Sequence, residues 1–234
     1  MAPNGAPTVL VAALNWGLGH ATRCIPIIDA LLAQEATVLL AADGDALTLL
    51  RTHYPNLTAL ELPPYGIRYP TRSMVYNMLG QLPRITRALS LERQKTATIV
   101  QQYGIDAIIS DNRYGVRHPS VPSVVVTHQL HLQLAAAWMR PPVNALLHRL
   151  LRRFDACWVP DVAGGPNYAG ALGHPPLVGL PTTYVGALSR FVPIEAGPTE
   201  WDLLAVLSGP APQRRYLEAA LLEQLAALPL RALV

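Results

Sequence analysis

The chain has 234 residues, of which 51% are hydrophobic and 14% charged, and its formal net charge is +3. So high an apolar fraction with so few charges excludes intrinsic disorder, and a charge of +3 spread over this length is no nucleic-acid footprint. The best candidate for a membrane span, Leu130–Trp138, is stopped by Arg140, Pro141 and Pro142, well short of the ~20 residues such a span needs.

Met1–Pro7 lacks the basic and apolar regions of a signal peptide, so a cytoplasmic chain is expected. Cys24 and Cys157 are the two cysteines. They make no disulfide framework and no metal-ligand spacing, and their apolar neighbours predict buried thiols in a reducing compartment.

Thr8–Leu14 is a continuous apolar run, as in a strand buried on both faces. It leads through Asn15-Trp16-Gly17-Leu18-Gly19-His20 into a helical pattern with Ile25, Ile28, Leu31 and Leu32 on one side. Thr37–Ala42 reads as a second buried strand. Asp43-Gly44-Asp45 reads as a turn that caps a short helix to His53, and Leu57–Leu62 as a third strand. Strands alternating with helices predict an α/β fold with a Rossmann-like parallel sheet.

A Pro/Tyr/Gly loop, Pro63–Arg72, is followed by a helix over Ser73–Tyr103, expected to kink at Pro83. Asp106–Ser110 and Ser123–Thr127 are the fourth and fifth strands. Leu130–Phe154 is helical and broken at Pro141-Pro142, Ala156–Val159 is a sixth strand, and Gly164–Pro176 is a loop. Residues 187–201 read as a linker, which bounds a first domain at 1–186. From Asp202 a strand, the turn Ser208-Gly209-Pro210, a helix over Pro212–Leu228 and a strand onset at Leu230–Val234 begin a second Rossmann-like unit over 202–234. A lone βαβ start cannot cover both faces of its strands, so this unit is expected to be truncated.

Gly17-x-Gly19 between a strand and a helix permits a tight turn and turns free N–H groups and the positive helix end toward a ligand. A dinucleotide fingerprint would require a small residue at position 22, where Thr22 stands. Asp43 lies about where a ribose-binding acid would sit, which keeps a nicotinamide oxidoreductase as an alternative.

The run Asn15-Trp16-Gly17-Leu18-Gly19-His20-Ala21-Thr22-Arg23-Cys24-Ile25-Pro26 resembles the amino-terminal motif of a bacterial glycosyltransferase-like family with the two-domain GT-B fold. That family is similar to the enzyme that adds N-acetylglucosamine to the lipid-linked peptidoglycan precursor. Ser110-Asp111-Asn112-Arg113-Tyr114-Gly115, Thr127-His128-Gln129-Leu130 and Ser208-Gly209-Pro210-x-Pro212-Gln213-Arg214 follow in the family's order. The chain departs from the peptidoglycan enzyme in its less glycine-rich first loop, and in His128-Gln129-Leu130 where that enzyme has His-Glu-Gln. The resemblance implies transfer of a hexosyl-type sugar from a UDP-type nucleotide-sugar donor to the hydroxyl of a sugar or lipid-linked acceptor. No metal or other cofactor is implied. A sugar-nucleotide epimerase and a non-catalytic carbohydrate- or lipid-binding module remain the alternatives.

An inverting transfer needs a base, and an imidazole, titrating near ~6.5, suits that role. His20 is the candidate base or acceptor contact, against a helix-capping role. Asp111 is a candidate to orient a histidine or act as base, against capping its turn. His128 is a candidate substrate contact, against a structural role. Gly17, Gly19, Thr22, Arg23, Asn112 and Arg113 are expected on the acceptor side, with Arg23, Arg113 and Arg117 suited to an acidic group. Ser208, Gly209 and Gln213 match the start of the family's donor site.

A final expectation concerns the cell envelope. Arg68, Arg72, Arg84, Arg87, Arg93 and Lys95 face a single acid, Glu92, while Met74, Val75, Met78, Leu79, Leu82 and Ile85 fall at helical spacing. Such a helix suits peripheral contact with an anionic membrane, and Leu146–Phe154 with Arg149, Arg152 and Arg153 adds a second patch. The competing reading is an ordinary core-facing helix with a solvated basic back.

Overall fold

The computed structural model describes residues 5–65, 74–134, 136–191, 193, 195, 197–207 and 211–234, with the side chains of 74–82 and 211–213 left aside. The chain divides into two compact units, Met1–Arg190 and Phe191–Val234.

In the first unit seven strands form one parallel sheet. They are β1 (Thr8–Ala13), β2 (Thr37–Ala42), β3 (Ala59–Glu61), β4 (Ala107–Asp111), β5 (Ser123–Val126), β6 (Ala156–Val159) and β7 (Thr182–Tyr184), and their spatial order is β3-β2-β1-β4-β5-β6-β7. The central strands carry aliphatic side chains on both faces because both faces are covered. Val9, Val11 and Ala13 of β1 pack with Val38, Leu40 and Ala42 of β2 against helices α1 (Leu18–Ala33) and α2 (Gly44–His53). Leu10, Ala12, Leu39, Ala41 and Ile108 face the opposite way, toward α3 (Met74–Tyr103). Beyond β4 that same face continues with Val125, Cys157 and Val159 under α4 (Arg140–Leu151).

Chain order therefore reverses between β1 and β4. In open α/β sheets the crevice at the carboxyl ends of such a reversal is where ligands bind.

Several expectations are corrected. The third strand is only Ala59–Glu61. Pro141-Pro142 does not break a helix but opens one: the two prolines sit in the first turn of α4, where a missing N–H costs nothing. Strand β7 was not expected, since Thr182–Tyr184 is short and follows a proline-rich stretch. Pro83 lies inside α3.

Asp43 occupies the N-cap position of α2 but gives it no side-chain cap. The amide oxygen of Asn15 takes the backbone N–H of Ala46 instead, at 3.3 Å. Gly44 is held at φ +51°, and a Cβ there would overlap the Asn15 amide. Gly44→Ala is therefore expected to lower unfolding free energy by about 1–3 kcal/mol through left-handed backbone strain and displacement of Asn15, as measured by urea titration.

Of the expected amphipathic surface, Arg84, Arg87, Arg93 and Lys95 are exposed, and Glu92 is fully buried. Arg68, Arg72 and the side chains of Met74, Val75, Met78, Leu79 and Leu82 lie outside the described residues. In the second patch Leu147, Leu151 and Phe154 are buried, and Leu146, Arg149, Arg152 and Arg153 are exposed. No helix among the described residues is long and apolar enough to cross a membrane.

The second unit holds β8 (Leu203–Leu204), α5 (Ala211–Leu225) and β9 (Ala232–Leu233), with the two short strands parallel. The Asp202 carboxylate takes the backbone N–H of Arg231 at 2.9 Å and so ties the start of β8 to the start of β9. Leu204, Val206 and Tyr216 are exposed.

Candidate functional site

The turn after β1 is set by Gly17, at φ +83° and ψ 157°, a conformation that L side chains rarely adopt. It starts α1 with no side-chain cap, so the first-turn N–H groups and the positive helix end face outward. His20 stands in that first turn.

His20, Arg23, Asp111 and His128, spread over 109 positions of sequence, meet at the carboxyl edge of β1, β4 and β5. Asp111, the last residue of β4, is fully buried. Its side chain lies on the α1 face, the side of its strand neighbour Ile109. The His20 Nδ1–H donates to Asp111 Oδ1 at 2.7 Å. Arg23 Nε donates to Asp111 Oδ2, and Arg23 Nη2 to Oδ1. Cys24 Sγ adds a weak donor at 3.8 Å, and burial with the Asp111 charge pushes that thiol well above its ordinary pKa. Arg23 Nη1 reaches His128 Nδ1 at 3.3 Å.

Electrostatics follow from this packing. Burial alone would lower the pKa of Arg23, but the hydrogen bond and charge of Asp111 outweigh it and hold the guanidinium more firmly charged than usual. His128 moves the other way: burial, then the Arg23 charge and His20, push its pKa down, and the more distant Asp111 and Asp161 only partly oppose this. His128 is therefore neutral at neutral pH.

Two expected acceptor contacts are corrected. Arg23 is an internal brace, because its fork is engaged by Asp111. Arg113 is fully buried and faces away from His20. Its Nε donates to Glu92 Oε1 at 2.7 Å, Nη1 to Asp43 Oδ1 at 2.5 Å and Nη2 to the Pro63 carbonyl at 2.6 Å. Its guanidinium lies 5.6 Å from the centre of the Tyr65 ring, whose hydroxyl donates to Glu92 at 2.8 Å. The same contacts remove Asp43 from any ribose-binding role.

The cause is Asn112, held at φ +53°. In a continuing strand, positions 111 and 113 would share a face. The left-handed residue between them breaks the alternation, which sends Asp111 toward α1 and Arg113 toward α3.

Thr22 donates its hydroxyl to the Gly19 carbonyl at 3.1 Å. Asn112 is buried, and its amide oxygen takes the Tyr114 hydroxyl at 3.3 Å. Arg117 is half-buried, and its Nε has no partner among the described residues. Ser208 and Gly209 lie outside the described residues, as does the Gln213 side chain. Among the described residues no group of three His, Cys, Asp or Glu side chains could hold a metal ion.

Sequence reading missed a second carboxylate at this edge. Asp161, two residues beyond β6, is buried and accepts the backbone N–H groups of Val162 (2.8 Å), Tyr168 (3.0 Å) and Ala169 (2.8 Å), with His174 Nε2 at 3.3 Å. It closes the loop that packs on the His128 strand end, where Leu130 and His131 N–H groups donate to the Leu172 carbonyl. Its place just past a strand end, like that of Asp111, was the available signal. Burial raises the Asp161 pKa, but the hydrogen bonds outweigh this and hold it at about 2, against an ordinary 3.8. A folded-state pKa below the unfolded one adds stability that is complete above pH ~4 and lost as pH falls from there toward ~2. The melting temperature of the wild type is expected to drop through that window, and that of Asp161→Asn to start lower and fall less, by circular dichroism.

The sequence matches no protein-family model and no curated protein. The structure is similar to the glycotransferase of kitacinnamycin, with a TM-score of 0.59 and 14% identity over 96% of this chain and 64% of that one. It is similar to glycosyltransferase SsfS6 of Streptomyces sp. SF2575 complexed with thymidine diphosphate, with a TM-score of 0.53 and 14% identity over 93% and 65%. It is also similar to Phytolacca americana UGT2 complexed with UDP-2fluoro-glucose and pterostilbene, with a TM-score of 0.51 and 16% identity over 80% and 55%. The chain thus spans 55% to 65% of the length of these chains. The chain shares with these glycosyltransferases a Rossmann-like fold, a parallel sheet whose strand order reverses between β1 and β4.

Proposed function

We propose that this protein is a glycosyltransferase-like enzyme that moves a hexosyl-type sugar from a UDP-type nucleotide-sugar donor to an acceptor hydroxyl. The observation that carries the reading is the His20–Asp111 pair beside the open helix end behind Gly17-x-Gly19. In this reading His20 Nε2 removes the acceptor proton as the hydroxyl attacks the anomeric carbon and the nucleoside diphosphate leaves. Asp111 holds the ring in the tautomer that frees Nε2 and balances the imidazolium that forms. The backbone at Gly17 and Gly19, with Thr22 and Asn112, borders the acceptor, and His128 contacts a substrate oxygen.

Ser208, Gly209 and Gln213 are proposed to begin the donor site, with domains at 1–186 and 202–234 and a linker at 187–201. The complexes of UGT2 with a UDP-sugar analogue and of SsfS6 with thymidine diphosphate support a nucleotide-sugar donor. A sugar or lipid-linked acceptor, and peripheral contact with the inner face of an anionic membrane, extend the reading.

The test incubates the chain with UDP-hexoses and a panel of hydroxyl acceptors and measures acceptor-dependent UDP release. Release that His20→Ala abolishes supports the reading. Acceptor binding without binding of UDP or turnover overturns it in favour of a binding module, and conversion of the UDP-hexose to its epimer favours an epimerase.

A further inference from the structure

We propose that Arg23 is a positioning residue for His128, holding it in the tautomer opposite to the one Asp111 sets in His20, so that His20 presents a bare Nε2 and His128 presents an Nε2–H donor. The use of these atoms in sugar transfer rests on the function proposed above, whereas the tautomers themselves do not.

A guanidinium has five N–H donors and no acceptor. Its Nη1 approaches His128 Nδ1 at 3.3 Å, so that nitrogen must offer a lone pair. A neutral imidazole with a bare Nδ1 carries its proton on Nε2. His128 is neutral at neutral pH because burial and the neighbouring Arg23 and His20 disfavour its cation.

His20 is in the opposite situation. Its Nδ1 lies 2.7 Å from Asp111 Oδ1, and two lone pairs at that distance would repel, so Nδ1 carries the hydrogen. Arg23 Nη2 also lies 2.9 Å from His20 Nδ1. Nη2 bonds the same Asp111 Oδ1, and the carboxylate is the nearer partner of His20 Nδ1, whereas among the described residues no carboxylate hydrogen-bonds His128 Nδ1. One carboxylate and one guanidinium thus fix both rings.

Among the described residues neither Nε2 has a hydrogen-bond partner. The buried side-chain polar atoms without a partner among the described residues are Thr96 Oγ1 and Arg117 Nε. In this proposal the His20 Nε2 is an acceptor for a ligand and the His128 Nε2 a donor. A reacting hydroxyl needs the first, and an electron-rich substrate oxygen suits the second.

Long-range 1H–15N correlation spectra of the uniformly 15N-labelled chain at neutral pH read the tautomers directly. The expected spectrum has protonated Nδ1 in His20 and protonated Nε2 in His128. The same tautomer in both rings, or a protonated Nδ1 in His128, overturns the proposal. Arg23→Met is expected to leave His20 unchanged, since Asp111 remains, and to turn His128 into a tautomer mixture that protonates at higher pH. An unaltered His128 spectrum in this variant overturns it. Should Arg23→Met not fold, Asp111→Asn decides: His20 is expected to lose its Nδ1–H preference while His128 keeps Nε2–H, and loss at both rings or at neither counts against the proposal. Absence of sugar transfer would sink the proposed function and leave this tautomer pattern standing.

Discussion

Replacing His20 by alanine is expected to lower kcat/KM for sugar transfer by about 10²–10⁴-fold, the usual contribution of a positioned general base. UDP binding is expected to be unchanged. The Asp111→Asn change should cost a comparable factor for a different reason. An asparagine amide can turn its NH2 toward His20 Nδ1, which then becomes the acceptor, and the ring proton moves to the Nε2 that the acceptor hydroxyl needs bare. The two variants separate in stability. His20 sits at the surface of the site, its side chain 15% exposed, and its loss is expected to change unfolding free energy by less than about 1 kcal/mol. Asp111 is fully buried and its loss leaves the Arg23 fork without its carboxylate, so Asp111→Asn should also melt earlier. Transfer rates with a UDP-hexose, measured beside urea unfolding curves, check both. Unimpaired turnover by His20→Ala would remove His20 from the chemistry.

The largest effect on stability is expected at Arg113. Its guanidinium joins three places that are far apart in sequence: Asp43 after β2, Glu92 within α3 and the Pro63 carbonyl after β3. Glu92 further accepts the Tyr65 hydroxyl and the Gly115 N–H, the latter at 3.0 Å. Arg113→Leu leaves two carboxylates buried without their cation. Breaking such a pair costs about 3–5 kcal/mol, a large part of a domain's ~5–15 kcal/mol of stability. The Glu92 pKa is already pushed up by burial, with Arg113 opposing the rise. Without Arg113 it should rise further, so the variant is expected to regain part of its stability as pH falls from neutrality toward 5. A combined Arg113→Leu, Glu92→Leu, Asp43→Leu chain is expected to recover most of the loss, because no charge is then stranded. Urea unfolding at pH 7 and pH 5 reads both effects. A single variant as stable as the wild type would show that the cluster does not hold this edge together.

Legibility differed between the sheet and the site. Thr8–Leu14, Thr37–Ala42 and Ala156–Val159 announce themselves because a strand covered on both faces must be apolar at every position, whatever covers it. Strand β7 did not, since three residues at a sheet edge after a proline carry no such constraint. The prolines at 141 and 142 show the limit of local rules. The same residues end one helix or begin another, and only the packing of Leu147 and Leu151 into the core decides which.

Among the site residues, His20, Asp111 and His128 follow strand ends, and parallel strands bring their carboxyl ends to one edge, so their neighbourhood could be argued from topology. The role of each arginine could not. Arg23 and Arg113 both looked available to an acidic ligand, and both are turned inward.

By itself, the sequence determined the alternation of strand and helix, the parallel sheet and the set of motifs at its carboxyl edge, because hydrophobic periodicity and chain connectivity act over a few residues at a time. Tertiary structure decided which charges pair. Whether Arg113 faces a ligand or a buried glutamate depends on the left-handed turn at Asn112 and on where α3 lies across the sheet. Those pairings join residues 21 to 88 positions apart, and no local pattern in the chain records such a separation.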